Sequence, residues 1–377
     1  MTIMDLKEVA FDKGFSLSFG SSNQKRTYGF CYEIFENDVL KNQIHYEIEI
    51  HFLNDNFGHN SIFEINRKQF YVNNKIPNSK IEQIAEKASQ TLFPLRVKMK
   101  PNGEIEEILT NAASKKRWQT VKEDILRYYR GETISKVINK IEAVLLNDNL
   151  LKQAICQNWF FYLYFKPLYV EYTSKLRFKR IWESPVFANQ FIEYGVVHTI
   201  KDRYDADDKI NINANGTAID DRTIQEIMEG YKFPKKYLSE EVFETVDSKM
   251  NVDYKLYKED RSIFSITGTF ETKITENKQQ KIKVEIYHFP ERSSFKPWSD
   301  TDLRESKRIF QSYQTKEEEG IIDVAAMITK QQAVTPKVER ILGSPIEKSQ
   351  FYIPDEPVVN KKMSFADKIK SIFKKSK

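Results

Sequence analysis

The stretch that decides the fold is QIHYEIEIHFL, residues 43–53. Every second residue from Ile44 to Phe52 is large and apolar, and histidine and glutamate stand between them. A two-residue period is typical of a β-strand with one buried face, because successive side chains point to opposite sides of a strand. Similar alternation in residues 27–35 and an extended segment at 61–72 predict two neighbouring strands. We therefore expect an antiparallel meander in this part of the chain.

The same alternation returns later in the chain, in residues 251–258, 261–275 and 280–289. These three segments predict a second antiparallel meander. A hairpin is also expected at Asn215-Gly216, since Asn-Gly is a strong type I′ turn signal between alternating segments.

Helical patterns separate the predicted strands. Ser79 and Glu82 have the spacing of a capping box and predict a helix that begins there. Apolar residues at helical spacing predict further helices from residue 111 to the run WFFYLYF at 159–165. Seven large apolar residues in succession cannot lie on one helical stripe. We expect this run to be buried within the monomer, the alternative being an interface.

The sequence thus predicts an α+β protein, with antiparallel β-meanders packed by helices around a central helical block. Composition then changes: four prolines and no sustained periodicity predict a disordered C-terminal linker, which ends in a short amphipathic basic helix. The predicted units are an N-terminal sheet unit with one helix at 1–110, a helical block at 111–184, a second α+β unit at 185–330, a flexible linker at 331–362 and a docking helix at 363–377.

Composition limits the function classes. Two cysteines in 377 residues are too few for a disulfide framework or a zinc module. Only 12 glycines are present, and the phosphate-binding, nucleophile-elbow and zinc-protease motifs are missing. No cofactor is therefore expected.

The first residues lack the apolar core of a secretory signal, and no apolar stretch is long enough to span a bilayer, so we expect a cytoplasmic protein.

The positive charge is concentrated at the C-terminus. The net charge is +5, but residues 361–377 hold seven lysines and one aspartate, a sum of +6. The remaining 360 residues therefore carry a net charge of −1. A neutral body does not favour nucleic-acid binding, which usually requires a strong basic excess. The patch KLRFKR at 175–180 is the best basic candidate in the body, and we interpret it as the solvated edge of a strand or helix.

The C-terminal segment has the pattern of a binding helix. Ser364 and Asp367 form a capping-box variant, and the apolar residues that follow lie within about 120° of a helical surface. The predicted docking residues are Phe365, Ile369, Ile372 and Phe373 on the apolar stripe, with Lys368, Lys370, Lys374 and Lys375 beside it. A groove on a partner protein is the favoured target. An anionic membrane surface also fits, as does a merely solubilising tail.

Candidates for chemistry are few. His198 is followed by Asp202 and Asp205, which could orient it as a general base. Asp205, Asp207 and Asp208 are weak candidates for a loosely bound cation, and the favoured interpretation assigns no metal. The strand face from His45 to His51 carries metal-ligand types, but these two histidines would be about 20 Å apart on an extended strand. We interpret that face as solvated.

These observations favour a non-enzymatic cytoplasmic scaffold or adaptor whose tethered C-terminal helix docks onto a partner protein. One alternative is a membrane-peripheral protein that its tail holds on anionic lipid. Another is a cation-dependent enzyme that uses carboxylates near residues 202–221.

Overall fold

Eleven antiparallel strands form one sheet in the computed structural model, which describes residues 7–20, 24–54, 61–188, 190–235 and 244–289. The strands are β1 Lys25–Glu36, β2 Val39–Asn54, β3 Ser61–Val72, β4 Leu95–Met99, β5 Ile105–Ile108, β6 Arg177–Phe187, β7 Gln190–Ile200, β8 Lys209–Ala218, β9 Ser248–Tyr257, β10 Ile263–Thr275 and β11 Lys278–Phe289.

The order of the strands joins two meanders at the centre of the sheet. It runs β5-β4-β3-β2-β1-β11-β10-β9-β8-β7-β6, and every neighbouring pair is antiparallel. The meander predicted around residues 43–53 is confirmed as β1, β2 and β3, and the second is confirmed as β9, β10 and β11. Because β1 pairs with β11 along most of its length, strands from both predicted sheet units belong to one sheet.

Six helices connect these strands within the described residues. They are α1 Lys80–Gln90, α2 Asn111–Tyr128, α3 Glu132–Leu146, α4 Asp148–Cys156, α5 Trp159–Tyr164 and α6 Ile224–Glu229. The predicted capping box is confirmed at α1, where the Ser79 side chain accepts from the Glu82 backbone and the Glu82 carboxylate accepts from the Ser79 backbone. The coarse prediction of antiparallel sheet with helices is therefore confirmed. The predicted linker and docking helix lie outside the described residues.

Helix α5 fills the centre of the core, which confirms the predicted burial of residues 159–165. All six residues of the helix are buried. Its rings contact strands of both meanders. The ring centroids of Phe160 and Phe30 are 5.9 Å apart, and those of Trp159 and Phe270 are 4.7 Å apart. Since one short helix contacts several strands, its aromatic side chains join the two meanders in a single core.

The predicted hairpin turn at Asn215-Gly216 is wrong, because both residues lie inside β8. Gly216 pairs with Val196 of β7 on one side and Met250 of β9 on the other. A Cβ atom at Gly216 would lie 2.9 Å from a Val196 methyl carbon and 3.1 Å from the Met250 side chain. Glycine is therefore favoured here by close packing against side chains of the neighbouring strands rather than by a turn.

None of the helices in the part of the chain that the structure describes is long and apolar enough to cross a membrane.

Candidate functional site

The two edges of the sheet face each other across a cleft. The β4–β5 hairpin stands at one end of the strand order and β6 at the other, yet both line the same cavity of about 400 Å³. Residues of α4 and α5 complete the wall. A sheet whose opposite edges meet in this way has curved around its core, so the cleft is the gap that the sheet leaves open.

One carboxylate links the two edges. Glu104, in the β4–β5 turn, accepts a charge-assisted hydrogen bond from the Arg180 guanidinium of β6 at 2.6 Å. The Lys100 ammonium lies 3.8 Å from the same carboxylate. Because these groups are substantially exposed, the contacts contribute at most about 1 kcal/mol each. Their importance lies in the charge balance of the cleft.

Gly103 allows the β4–β5 turn to pack closely against the segment that follows α5. Gly103 has a φ of +104°, which favours glycine, and a Cβ atom there would lie 2.6 Å from the carbonyl oxygen of Lys166. The Tyr169 backbone N–H donates to the Asn102 carbonyl at 3.2 Å. This close approach fixes the Lys166 backbone relative to Glu104.

The Lys166 side chain lies over two aromatic rings of the cleft. Its Nζ is 3.4 Å from the ring centroid of Tyr162 and 4.3 Å from that of Trp182. No carboxylate among the described residues lies within ion-pair distance of this ammonium. Burial lowers the pKa of Lys166 well below its ordinary value, and the Arg180 charge acts in the same direction, against the carboxylates of Glu104 and Glu183. The Lys166 ammonium in the cleft is therefore in contact with aromatic rings and not with a carboxylate.

Behind Lys166, buried polar atoms lack hydrogen-bond partners. Trp182 lines the cleft, and its indole N–H has no acceptor within the described ranges. His198 of β7 is fully buried with its ring 5.2 Å from that of Trp182, and neither of its nitrogens has a partner in the same part of the chain. Burial lowers the pKa of His198 to about 4, with the charges of Lys166 and Arg180 contributing. The imidazole is therefore neutral at neutral pH.

The structure does not bring His198 together with its predicted carboxylates. The ring contacts Phe178 and Trp182, and no hydrogen bond joins it to Asp202 or Asp205. The arrangement proposed from the sequence, in which an aspartate orients this histidine as a general base, is therefore not formed.

The candidate cation ligands are engaged in a turn between β7 and β8. The Asp205 carboxylate accepts from the backbone N–H groups of Asp207 and Lys209, and it lies 3.3 Å from the Lys255 ammonium. Asp208 lies 3.3 Å from the Lys258 ammonium. Within the described ranges, no group of three or more His, Cys, Asp or Glu side chains is arranged to hold a metal ion.

Side chains on the polar face of β2 form ion pairs and ring contacts with neighbouring strands, so this face is not simply solvated as predicted. Glu49 is buried, and its carboxylate pairs with Lys25 at 2.6 Å and Lys68 at 2.7 Å. His45 stacks on Tyr71, with 4.8 Å between the ring centroids. These residue types therefore link β2 to the strands on each side of it.

The predicted docking residues of the C-terminal segment lie outside the described residues. They are Phe365, Lys368, Ile369, Lys370, Ile372, Phe373, Lys374 and Lys375.

Sequence reasoning did not single out Lys166 as a residue of this cleft. The available signal was a lysine directly after the run at 159–165, four positions after Tyr162 and therefore one helical turn away. The second ring comes from Trp182 in β6, which no local pattern connects to α5. The basic patch at 175–180 did contain one residue of the site, Arg180.

No protein-family model and no curated protein matches the chain. Among solved structures, it is similar to a chain described under lipid–protein interactions in lipovitellin, with 9% sequence identity and a TM-score of 0.39. The match covers 74% of this chain and 26% of that one, so the chain spans about a quarter of that protein's length.

Proposed function

We propose that the protein is a non-enzymatic interaction protein of the cytoplasm, in which the sheet body serves as a scaffold and the C-terminal segment docks onto a partner protein. The observation that carries this proposal is that the positive charge of the chain is concentrated in the C-terminal segment. Seventeen C-terminal residues hold a charge of +6 beside an apolar stripe, and the rest of the chain is close to neutral. The proline-containing segment before them would act as a flexible tether.

The architecture of the body is compatible with a scaffold. Its strands are hydrogen-bonded across the whole sheet, and α5 packs against them. Binding surfaces on such rigid elements are positioned more accurately than surfaces on loops. The carboxylate of Asp205, which the enzyme alternative would use, is already hydrogen-bonded within its own turn. This engagement favours the scaffold over the cation-dependent enzyme.

Two matched variants of the tail test the proposal. A stripe variant replaces Phe365, Ile369, Ile372 and Phe373 with serine and keeps every lysine. A charge variant replaces Lys368, Lys370, Lys374 and Lys375 with glutamine and keeps the stripe. Proteins that co-purify with the full chain and both variants are compared by quantitative mass spectrometry. We expect the stripe variant to lose a defined partner, because apolar anchors supply most of the energy of a helix in a groove. The charge variant should retain that partner with greater sensitivity to salt.

Vesicle flotation distinguishes the protein groove from the membrane alternative. If the full chain floats with phosphatidylserine vesicles and loss of residues 361–377 abolishes flotation, the tail binds lipid and the groove proposal is wrong. If the full chain and both variants co-purify with the same proteins, the tail is not a docking element and the scaffold proposal loses its support.

A further inference from the structure

We propose that the cleft between the β4–β5 hairpin and β6 binds a small monocarboxylate with an apolar body, and that the Lys166 ammonium contacts its carboxylate group. This inference concerns the body alone and is independent of what the tail binds.

The charge balance of the cleft points to a ligand with one negative charge. Three cations line it, Lys100, Lys166 and Arg180, against two carboxylates, Glu104 and Glu183. Glu104 already contacts Arg180 and Lys100. Lys166 is the lining cation that lacks a carboxylate partner in the described part of the chain. A partly buried charge without a counter-ion has lost part of its hydration, so a ligand carboxylate beside it would supply a missing interaction.

The remaining wall supplies apolar contact. Ile105, Phe161, Phe165 and Phe191 line the same cavity. The Trp182 ring adds an aromatic surface beside Lys166. A cavity of about 400 Å³ is within the usual range for small-molecule sites, which combine apolar walls with a few polar groups. An aromatic or short aliphatic acid fits this description.

Binding should be linked to pH. Burial lowers the pKa of Lys166, so an increasing fraction of the free protein holds a neutral amine as the pH rises. The charged groups around it are Glu104, Glu183 and Arg180, with the Cys156 thiol nearby. A bound carboxylate would favour the ammonium, so binding takes up a proton wherever the free amine is neutral. Affinity should therefore fall with rising pH.

The test is isothermal titration calorimetry of the full chain with phenylbutyrate, compared with its neutral analogue phenylbutanol. We expect phenylbutyrate to bind, phenylbutanol to bind much more weakly, and affinity for the acid to fall as the pH is raised into the alkaline range. Lys166→Met keeps the length and apolar stem of the side chain and should weaken phenylbutyrate binding roughly tenfold or more. Lys100→Met is the matched control at the same cleft and should change affinity by less than about twofold.

Several results would overturn the inference. Equal binding of acid and alcohol would make the cleft a purely apolar site. Tighter binding of phenyl phosphate than of phenylbutyrate would assign it to a dianion. Unchanged phenylbutyrate affinity in Lys166→Met, or no binding by the wild-type chain, would exclude this lysine as a carboxylate contact. Thermal unfolding of each variant shows whether the fold is intact, so a lost signal is not mistaken for lost structure.

Discussion

Two clusters of buried polar groups contact α5, and they differ in how completely their hydrogen bonds are satisfied. The central cluster lies where β1 meets β11 and consists of Arg26, Tyr28, Tyr164, Asp260 and His288. The cleft cluster lies near β6 and consists of Lys166, Trp182 and His198. Tyr164 belongs to α5, and Lys166 follows it by two residues. The same segment of chain therefore contributes to both.

In the central cluster, every member has a partner. Arg26 donates to Asp260 at 2.7 Å, and Asp260 also accepts from the Ser262 hydroxyl at 2.7 Å. The Tyr28 hydroxyl donates to the Ile263 carbonyl at 2.8 Å and accepts from Tyr164. Tyr257 shares a hydrogen bond with His288. These bonds connect β1, β10, β11 and α5, so the cluster stabilises the junction of the two meanders.

The side chains of the cleft cluster are buried to a similar extent as those of the central cluster, but they have fewer hydrogen-bond and ion-pair partners. Lys166 contacts rings in place of carboxylates, and the Trp182 and His198 nitrogens lack partners in the described ranges. Unsatisfied buried groups cost free energy and are uncommon in folded proteins. The comparison indicates that the central cluster stabilises the fold, whereas the cleft cluster leaves buried polar atoms unsatisfied at the cavity where we propose that a ligand binds.

Breaking the central pair should have the largest effect. Asp260→Asn keeps the shape of the side chain and leaves the buried Arg26 without its counter-ion. We expect a loss of about 4 kcal/mol in the free energy of unfolding, the usual result of removing one partner of a buried pair. Urea denaturation measures it. The control is Glu64→Gln, which breaks a more exposed arginine pair of the same 2.7 Å length and should cost less than about 1 kcal/mol. Equal losses in both variants would contradict a structural role for the central cluster.

Lowering the pH should destabilise the protein through His198, the buried histidine of the cleft cluster. The pKa of His198 is lowered to about 4 in the folded protein, so the unfolded chain binds the proton first as pH falls below its ordinary value. The stability that the neutral imidazole contributes is complete above about pH 6.5 and is lost progressively towards pH 4, by about 3 kcal/mol. His198→Leu should remove this part of the loss.

Urea denaturation at several pH values measures the difference between the wild-type chain and His198→Leu. Burial also lowers the pKa of His288, to about 3, and this residue acts in the same direction. Because His288 is present in both proteins, their difference isolates His198. Parallel stability curves from neutral pH to pH 4 would show that His198 titrates normally.

The features that the sequence predicts correctly are those that depend on local pattern. Period-two alternation predicts β2 and its neighbours, because each residue's face is set locally. Asn215-Gly216 has the local pattern of a turn, and only the positions of Val196 and Met250 require glycine inside a strand. The environment of Lys166 likewise depends on a residue that is distant in sequence, because Trp182 comes from a strand at the far edge of the sheet. A local pattern can predict secondary structure, but a site between two sheet edges depends on how the whole sheet curves.

Gly103→Ala tests whether the hairpin turn fixes the cleft. The new methyl group would meet the Lys166 carbonyl at 2.6 Å in a backbone conformation that alanine disfavours, so we expect a loss of about 2 kcal/mol. Gly131→Ala is the control, because Gly131 also has a positive φ but no atom lies within 4 Å of its added methyl group. That variant bears the backbone strain without the close contact and should lose only about 1 kcal/mol. Thermal unfolding measures both, and a smaller loss at Gly103 than at Gly131 would contradict the close packing of the turn.

Lys166→Met should have the smallest effect on stability, in contrast to the loss expected from Asp260→Asn. Two opposing effects nearly cancel: the variant removes a partly buried cation that lacks an ion-pair partner among the described residues, and it gives up two cation–π contacts. We expect the free energy of unfolding at neutral pH to stay the same or rise by about 1 kcal/mol.

The size of this gain should depend on pH in a defined way. The folded protein disfavours the ammonium, so the penalty in the wild-type chain is greatest at low pH and disappears as the pH approaches about 10.5, where the unfolded amine also loses its proton. Urea denaturation at neutral and alkaline pH therefore measures a difference between the two proteins that shrinks with rising pH. A loss as large as that of Asp260→Asn would place Lys166 among the groups that stabilise the fold and would remove the distinction between the two clusters.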